Sequence, residues 1–181
     1  MKNSSTKTIA FMAIYLALFF VIQWLAEMIG LFRMPQGGML ELGVLALLLC
    51  SYHLGWKPAV AVGLLSVLLM FITGRVYIIQ ANDGFSPLQI VMQFVMEYPI
   101  AFGIYGFASL FPNFGKCYSG VAVTNLIRLA IHTIAGTIYW STPLAASLTY
   151  NAWFMIPTMI VCMIVVPILA ERVIPAIDTK R

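Results

Sequence analysis

The chain has 181 residues, of which 62% are hydrophobic and only 9% charged, and its mean hydropathy is +0.96. A soluble domain carries about 25% charged residues, so this composition excludes a soluble enzyme or binding module and points to an integral membrane protein. The net charge of +4 could suit nucleic acid, but the basic residues are scattered near helix ends, where they set orientation against lipid headgroups, and no nucleic-acid site is expected.

In chain order, hydropathy resolves six spans, at residues 9–29, 39–52, 58–73, 88–111, 119–140 and 145–170. The first run is long enough to cross a bilayer and lacks a small-residue cleavage site, so it is read as a retained helix, not a signal peptide. The second is the weakest, and needs either tilt or extension by residues 36–38. The expected fold is therefore an all-α integral membrane protein, one domain over residues 1–181 with six transmembrane helices. No Walker motif, attached soluble domain or internal repeat stands out. Cys50, Cys117 and Cys162 lack metal-ligand spacing and read as structural thiols, and neither metal nor cofactor is expected.

Basic residues set the topology. Lys2 and Lys7 precede the first span, Lys57 and Lys116 lie in the second and fourth connections, and Arg172, Lys180 and Arg181 follow the last. Only Arg33 and Arg75 fall on the other side, so both termini are expected in the cytoplasm.

The fourth span holds the most informative stretch, QIVMQFVMEYP at residues 89–99. Gln89, Gln93 and Glu97 fall four apart, which makes one polar stripe on an apolar helix. A carboxylate within a membrane helix costs roughly 2.5 to 3.5 kcal/mol on insertion scales, so it faces a partner or a cavity and reads as a functional site. Pro99 removes a backbone donor and crowds the carbonyl of Val95, predicting a bend beside the carboxylate.

The fifth span places Arg128, His132, Gly136 and Trp140 at steps of four on one face, where Gly136 leaves room for a flat ligand or a neighbouring backbone. Arg128 needs an acceptor, for which Glu97 is the obvious candidate. At 1.5 Å rise per residue, Glu97 lies roughly 14 Å and His132 roughly 12 Å from the outer ends of their spans. Tyr77 and Asn151 lie nearer the outer surface. These residues come from four segments yet gather in the outer half of the membrane, as an outward-facing ligand site would. Each has a plainer reading: a structural Glu97–Arg128 pair, a packed His132, Trp140 and Tyr139 as interface anchors, and Asn151 bonding a neighbouring helix.

Together, Ile72-Thr73-Gly74-Arg75-Val76-Tyr77, Met96-Glu97-Tyr98, Arg128 with His132, the run from Ile134 to Ser141, and Ser147-Leu148 before Asn151 resemble the thiamine-binding S components of energy-coupling factor (ECF) transporters. The resemblance covers nearly the whole chain. It implies a six-helix, multi-pass subunit of a prokaryotic plasma membrane that captures thiamine and docks on a transmembrane coupling protein and two cytoplasmic ATPases. Glu97 would bond the aminopyrimidine, with Asn151 assisting. Trp140 would stack on the ligand, His132 and Tyr77 would wall the thiazolium side, and Tyr98 and Arg128 join the ligand-binding set. The pattern departs from the family at three positions, since residues 33–39 contain no Trp, Ala146 stands where a Tyr is usual, and about Ser66 where a Trp is usual, and the loop between Trp140 and Asn151 is shorter.

On the first span, Ala10, Ala13 and Ala17 would form the docking patch for the coupling protein, although Ile14 interrupts the Ala10 register, and ordinary helix packing is the plainer reading of three alanines. Two other function classes stay open besides a related pyrimidine or small aromatic vitamin precursor as ligand. An intramembrane enzyme could use Glu97 and His132 as acid and base, but it lacks a second carboxylate or a nucleophile elbow. A stand-alone proton-coupled carrier could use Glu97, Arg128 and His132, and independence from ATP would distinguish it.

Overall fold

The computed structural model describes residues 2–30, 33–34 and 38–178. Six helices alternate in direction through one bundle: α1 (Lys2–Ile29), α2 (Val44–Leu54), α3 (Trp56–Ile72), α4 (Pro87–Leu110), α5 (Ser119–Tyr139) and α6 (Leu144–Asp178). Four of them, α1, α4, α5 and α6, are long and apolar enough to cross a membrane, whereas α2 and α3 are shorter. A helix is present for each of the six expected spans. Lys180, Arg181 and the side chain of Lys2, used above for orientation, lie outside the described residues, as do residues 36 and 37.

The residue pattern is that of a lipid-solvated bundle. Large apolar side chains such as Ile9, Ile14, Leu18, Leu68, Ile138 and Ile164 face outward, while Ser51, Ser66, Gln93, Thr124, Asn125 and Arg128 are buried. Hydrocarbon does not drive apolar side chains together, so polar groups turn inward to find partners. Ser51 Oγ donates to the Gly106 carbonyl at 2.7 Å and Tyr105 hydroxyl to Asn125 Oδ1 at 2.9 Å, each joining two helices. Where α3 crosses α4, a Cβ on Gly106 would stand 2.5 Å from the Val60 backbone nitrogen, so only glycine permits that approach.

The second span differs from its hydropathy reading. Its helix begins only at Val44 and has 11 residues, roughly 16 Å, about half a hydrocarbon core. Residues 38–43 precede it as irregular chain within the bundle. Irregular backbone at membrane depth is tolerated only where protein satisfies its polar groups. Three side chains from two helices do so: Tyr150 hydroxyl accepts from Gly38 N at 3.2 Å, Thr158 Oγ1 from Glu41 N at 3.2 Å and Gln23 Oε1 from Gly43 N at 3.2 Å. The helix can be short because it is sheathed by its neighbours, with seven residues from Val44 to Ser51 buried.

At Pro99 the observed change in α4 is a widening of the helix. Residues Met96–Ile100 form a π turn around the proline, and Ile104–Leu110 then tightens to 3₁₀. An extra residue in the turn absorbs the missing donor. A small hairpin, β1 (Asn113–Phe114) against β2 (Cys117–Tyr118), joins α4 to α5.

Candidate functional site

Glu97 sits inside the π turn of α4, buried, with a donor on each carboxylate oxygen. Gln93, one helical turn earlier, gives Nε2–H to Oε2, and Trp140 gives Nε1–H to Oε1 at 3.1 Å. Trp140 caps the end of α5, which delivers its indole to α4 from across the bundle. Its ring meets that of Tyr77 at a centroid distance of 5.2 Å. Tyr77 and Trp140 remain 62% and 43% exposed, so they form a rim, while Glu97 forms the floor.

Tyr77 is held by its backbone. Tyr98 hydroxyl accepts from Tyr77 N at 2.6 Å and donates to Tyr77 O at 3.4 Å. Thus Tyr98, expected among ligand contacts, spends its hydroxyl on fastening the connection between α3 and α4. Of the predicted polar stripe, Gln93 is wholly buried beside Glu97, whereas Gln89 is exposed and caps the helix start by accepting from Ser86 N at 2.9 Å.

His132 lies against the backbone of Glu97, and its Nε2 is buried with no hydrogen-bond partner among the described residues. An unpartnered buried nitrogen costs roughly 1 to 3 kcal/mol unless something fills its need. Asn151 is buried on α6, where its Nδ2 donates to the Ser147 carbonyl at 2.9 Å. Gly136 brings this group close to α5. A Cβ there would stand 2.2 Å from Ser147 Oγ and 4.0 Å from Asn151 Nδ2. The space read in the sequence as room for a flat ligand or a neighbouring backbone is therefore taken by the Ser147 side chain, whose hydroxyl donates to the Thr133 carbonyl at 2.9 Å.

The acceptor of Arg128 requires a correction. Its NH1 pairs with Glu41 Oε2 on the irregular segment before α2, and Glu97 is not its partner. The guanidinium, 2% exposed, also lies 4.5 Å from the ring centroid of Phe102 and donates to Tyr105 hydroxyl at 3.4 Å. Aromatic faces and a carboxylate together replace its lost water. Arg128 thus ties residues 38–43 to α4 and α5. Glu41 also lines a cavity of about 100 Å³ with Gln23, Glu27, Met39, Arg75 and Phe102. At one side of it Arg75 NH1 reaches both oxygens of Glu27, at 2.9 and 3.0 Å.

The three positions that depart from the family pattern have local explanations. Ser66 is buried and donates to the Gly63 carbonyl at 2.7 Å. Gly38, in the connection without Trp, packs so closely that a Cβ would meet the Phe154 ring at 2.5 Å. Tyr150, not singled out in the sequence, supplies a hydroxyl to that connection although Ala146 cannot.

All of these groups belong to the end of the bundle where α1, α3 and α5 finish and α4 and α6 begin. Chemically, that end offers a carboxylate with two aligned donors, an unsatisfied imidazole nitrogen, an amide and two partly exposed aromatic faces. Such a set suits a flat heteroaromatic ligand with an amine, and a cationic ring stacked on the rim.

Residues 9–177 match the family described as thiamine transporter protein (Thia_YuaJ). Over 162 residues the chain is 30% identical to the thiamine transporter ThiT of Bacillus subtilis (strain 168), covering 77% of this chain and 79% of that protein. In three dimensions it is similar to the solved structure of ThiT from Listeria monocytogenes, with a TM-score of 0.70, 21% identity, and coverage of 93% of this chain and 96% of that one. At that identity the structural likeness establishes the six-helix fold.

Proposed function

We propose a function from the premise that this chain belongs to the thiamine transporter protein family: as a multi-pass membrane protein it captures thiamine as the S component of an ECF importer. The family is one of transporters, which sets aside the acid/base enzyme reading of Glu97 and His132. The observation that supports thiamine most directly is the Glu97 carboxylate, buried in a membrane-spanning helix and bonded to the half-exposed Trp140, whose ring meets Tyr77. A carboxylate accepts from the exocyclic amine of the pyrimidine, and an analogue without that donor leaves a buried acceptor unmatched.

Trp140 and Tyr77 offer faces to the thiazolium cation, an interaction of roughly 2 kcal/mol when desolvated. His132 Nε2 and Asn151 complete the polar wall. Tyr98 and Arg128 contribute by holding the wall in place, since their polar groups are already engaged. The site opens outward in this reading, with both termini cytoplasmic as the basic residues indicate.

Binding is tested by titrating the purified protein with thiamine while following tryptophan emission. Of the four tryptophans, Trp140 alone bonds Glu97, so its signal is expected to change on binding. Trp140→Phe should remove most of that signal yet keep affinity, by calorimetry, within about tenfold, because one donor and part of a ring face are lost. An unchanged signal in the variant would place the ligand away from Trp140.

Transport in this proposal needs a transmembrane coupling protein and two cytoplasmic ATPases. Ala10, Ala13 and Ala17 are exposed on α1, on its outward side opposite the buried Tyr15 and Phe19. Small residues there let a partner helix approach closely. Ala17→Trp is expected to leave thiamine affinity intact and to cut ATP-driven uptake in reconstituted vesicles by at least about tenfold, since a bulky ring separates packed helices. Normal uptake in that variant would move the docking surface elsewhere.

A further inference from the structure

Gln93 is wholly buried, and its amide uses both donors and its acceptor on groups of the candidate site. Nε2 donates to Glu97 Oε2 and, at 3.1 Å, to the Tyr77 carbonyl. Oε1 accepts from Ile79 N at 3.4 Å. A buried amide with three partners has one orientation, because turning it over would set NH₂ against Ile79 N–H and oxygen against two acceptors. These bonds close a ring. Gln93 holds Glu97, Trp140 bonds the other Glu97 oxygen, the Trp140 ring meets Tyr77, and the Tyr77 carbonyl returns to Gln93.

The two carboxylate oxygens are therefore unlike. Oε2 is held from within by a residue with no exposure, while Oε1 is shared with an indole that is 43% exposed and belongs to the rim. We propose that Gln93 is a positioning residue that locks the carboxylate so that Oε1 is the oxygen offered to an amine of the ligand. This rests on the thiamine reading and goes beyond it in assigning the origin of amine selectivity. Gln93 touches no ligand in this arrangement. It works by denying the carboxylate the rotation that would let it turn away from the rim, and by bolting Tyr77, the part of the rim next to Trp140, to the same point.

A merely structural role would weaken every ligand equally, so the test compares two. Thiamine and oxythiamine, in which the pyrimidine amine is replaced by oxygen, are titrated into wild type, Gln93→Met and Gln93→Glu by calorimetry. The methionine keeps the volume and removes all polar partners. The glutamate keeps an oxygen for Ile79 N–H but removes the donor and faces a second carboxyl toward Glu97. In wild type, thiamine is expected to bind at least about tenfold tighter than oxythiamine, as a bond to a charged group implies. In both variants thiamine affinity should fall about tenfold while oxythiamine changes less than about threefold, so the preference collapses. Equal losses for the two ligands, or a preserved preference in either folded variant, overturn the proposal. A wild type that binds neither ligand overturns the thiamine reading itself, and this inference with it.

Discussion

A Glu97→Gln protein is expected to bind thiamine about a hundredfold more weakly than the unmodified chain, a loss of roughly 3 kcal/mol. Two effects act together. The amide lacks the charge that strengthens a bond to an amine in a site shielded from water. It also has one oxygen where the carboxylate has two, and both are in use, by Gln93 and by Trp140. Whichever way the new amide turns, its NH₂ faces a donor. The substitution therefore disturbs the rim as well as removing charge.

Calorimetric titration separates these contributions from loss of fold. The variant is expected to stay folded in detergent with a melting temperature lowered by a few degrees, the cost of one mismatched buried donor, because Glu97 makes no ion pair among the described residues whose breakage would strand a buried cation. Affinity within about threefold of wild type would show that the carboxylate is not the recognising group. The pyrimidine would then have to be read by Asn151 and His132 alone.

The bundle was legible in the sequence because lipid simplifies the problem. Long apolar runs separated by Pro, Gly and charge marked every helix, and the ends of α4 and α5 fell within a residue or two of expectation. Periodicity also grouped Gln93 with Glu97 and set His132 and Gly136 on one face of α5, and the structure brings Gln93 and His132 against Glu97. It failed where backbone leaves the helix. Hydropathy reads residues 39–52 as one rod, which puts Glu41 near the membrane surface and hides it from Arg128. In the structure residues 38–43 tuck inward as irregular chain, and Glu41 meets Arg128. The signal was nonetheless available, since Glu41 is one of only six acidic residues and stands in an apolar stretch. Gly136 shows a second limit. A missing side chain in a sequence marks space, but only the register of α5 against α6 reveals that Ser147 occupies it. Tyr150 was passed over for the same reason, because its hydroxyl acts on a connection whose path spacing does not encode.

The Glu41–Arg128 pair leads to an asymmetric expectation for stability. Glu41→Leu should destabilise the protein by roughly 3 to 5 kcal/mol, the range for stranding one partner of a buried pair. The guanidinium that remains is 2% exposed, its Nε already lacks a partner among the described residues, and Phe102 and Tyr105 compensate only in part. Arg128→Leu should cost less. The carboxylate it leaves is 22% exposed and borders the cavity of about 100 Å³, which is large enough for a few waters to solvate it. At about 2 to 4 °C per kcal/mol for a chain of this size, Glu41→Leu corresponds to a fall of roughly 10 °C in apparent melting temperature, and Arg128→Leu to clearly less. The double variant, with Leu at both positions, should recover much of the loss, because an apolar pair of similar volume often replaces a buried ion pair at little cost. Thermal unfolding of the three variants in one detergent decides the matter. Equal losses from the two single changes would mean that the cavity does not hydrate Glu41. A double variant as unstable as Glu41→Leu would mean that the pair's worth lies in fixing residues 38–43 against α5 and not in charge compensation.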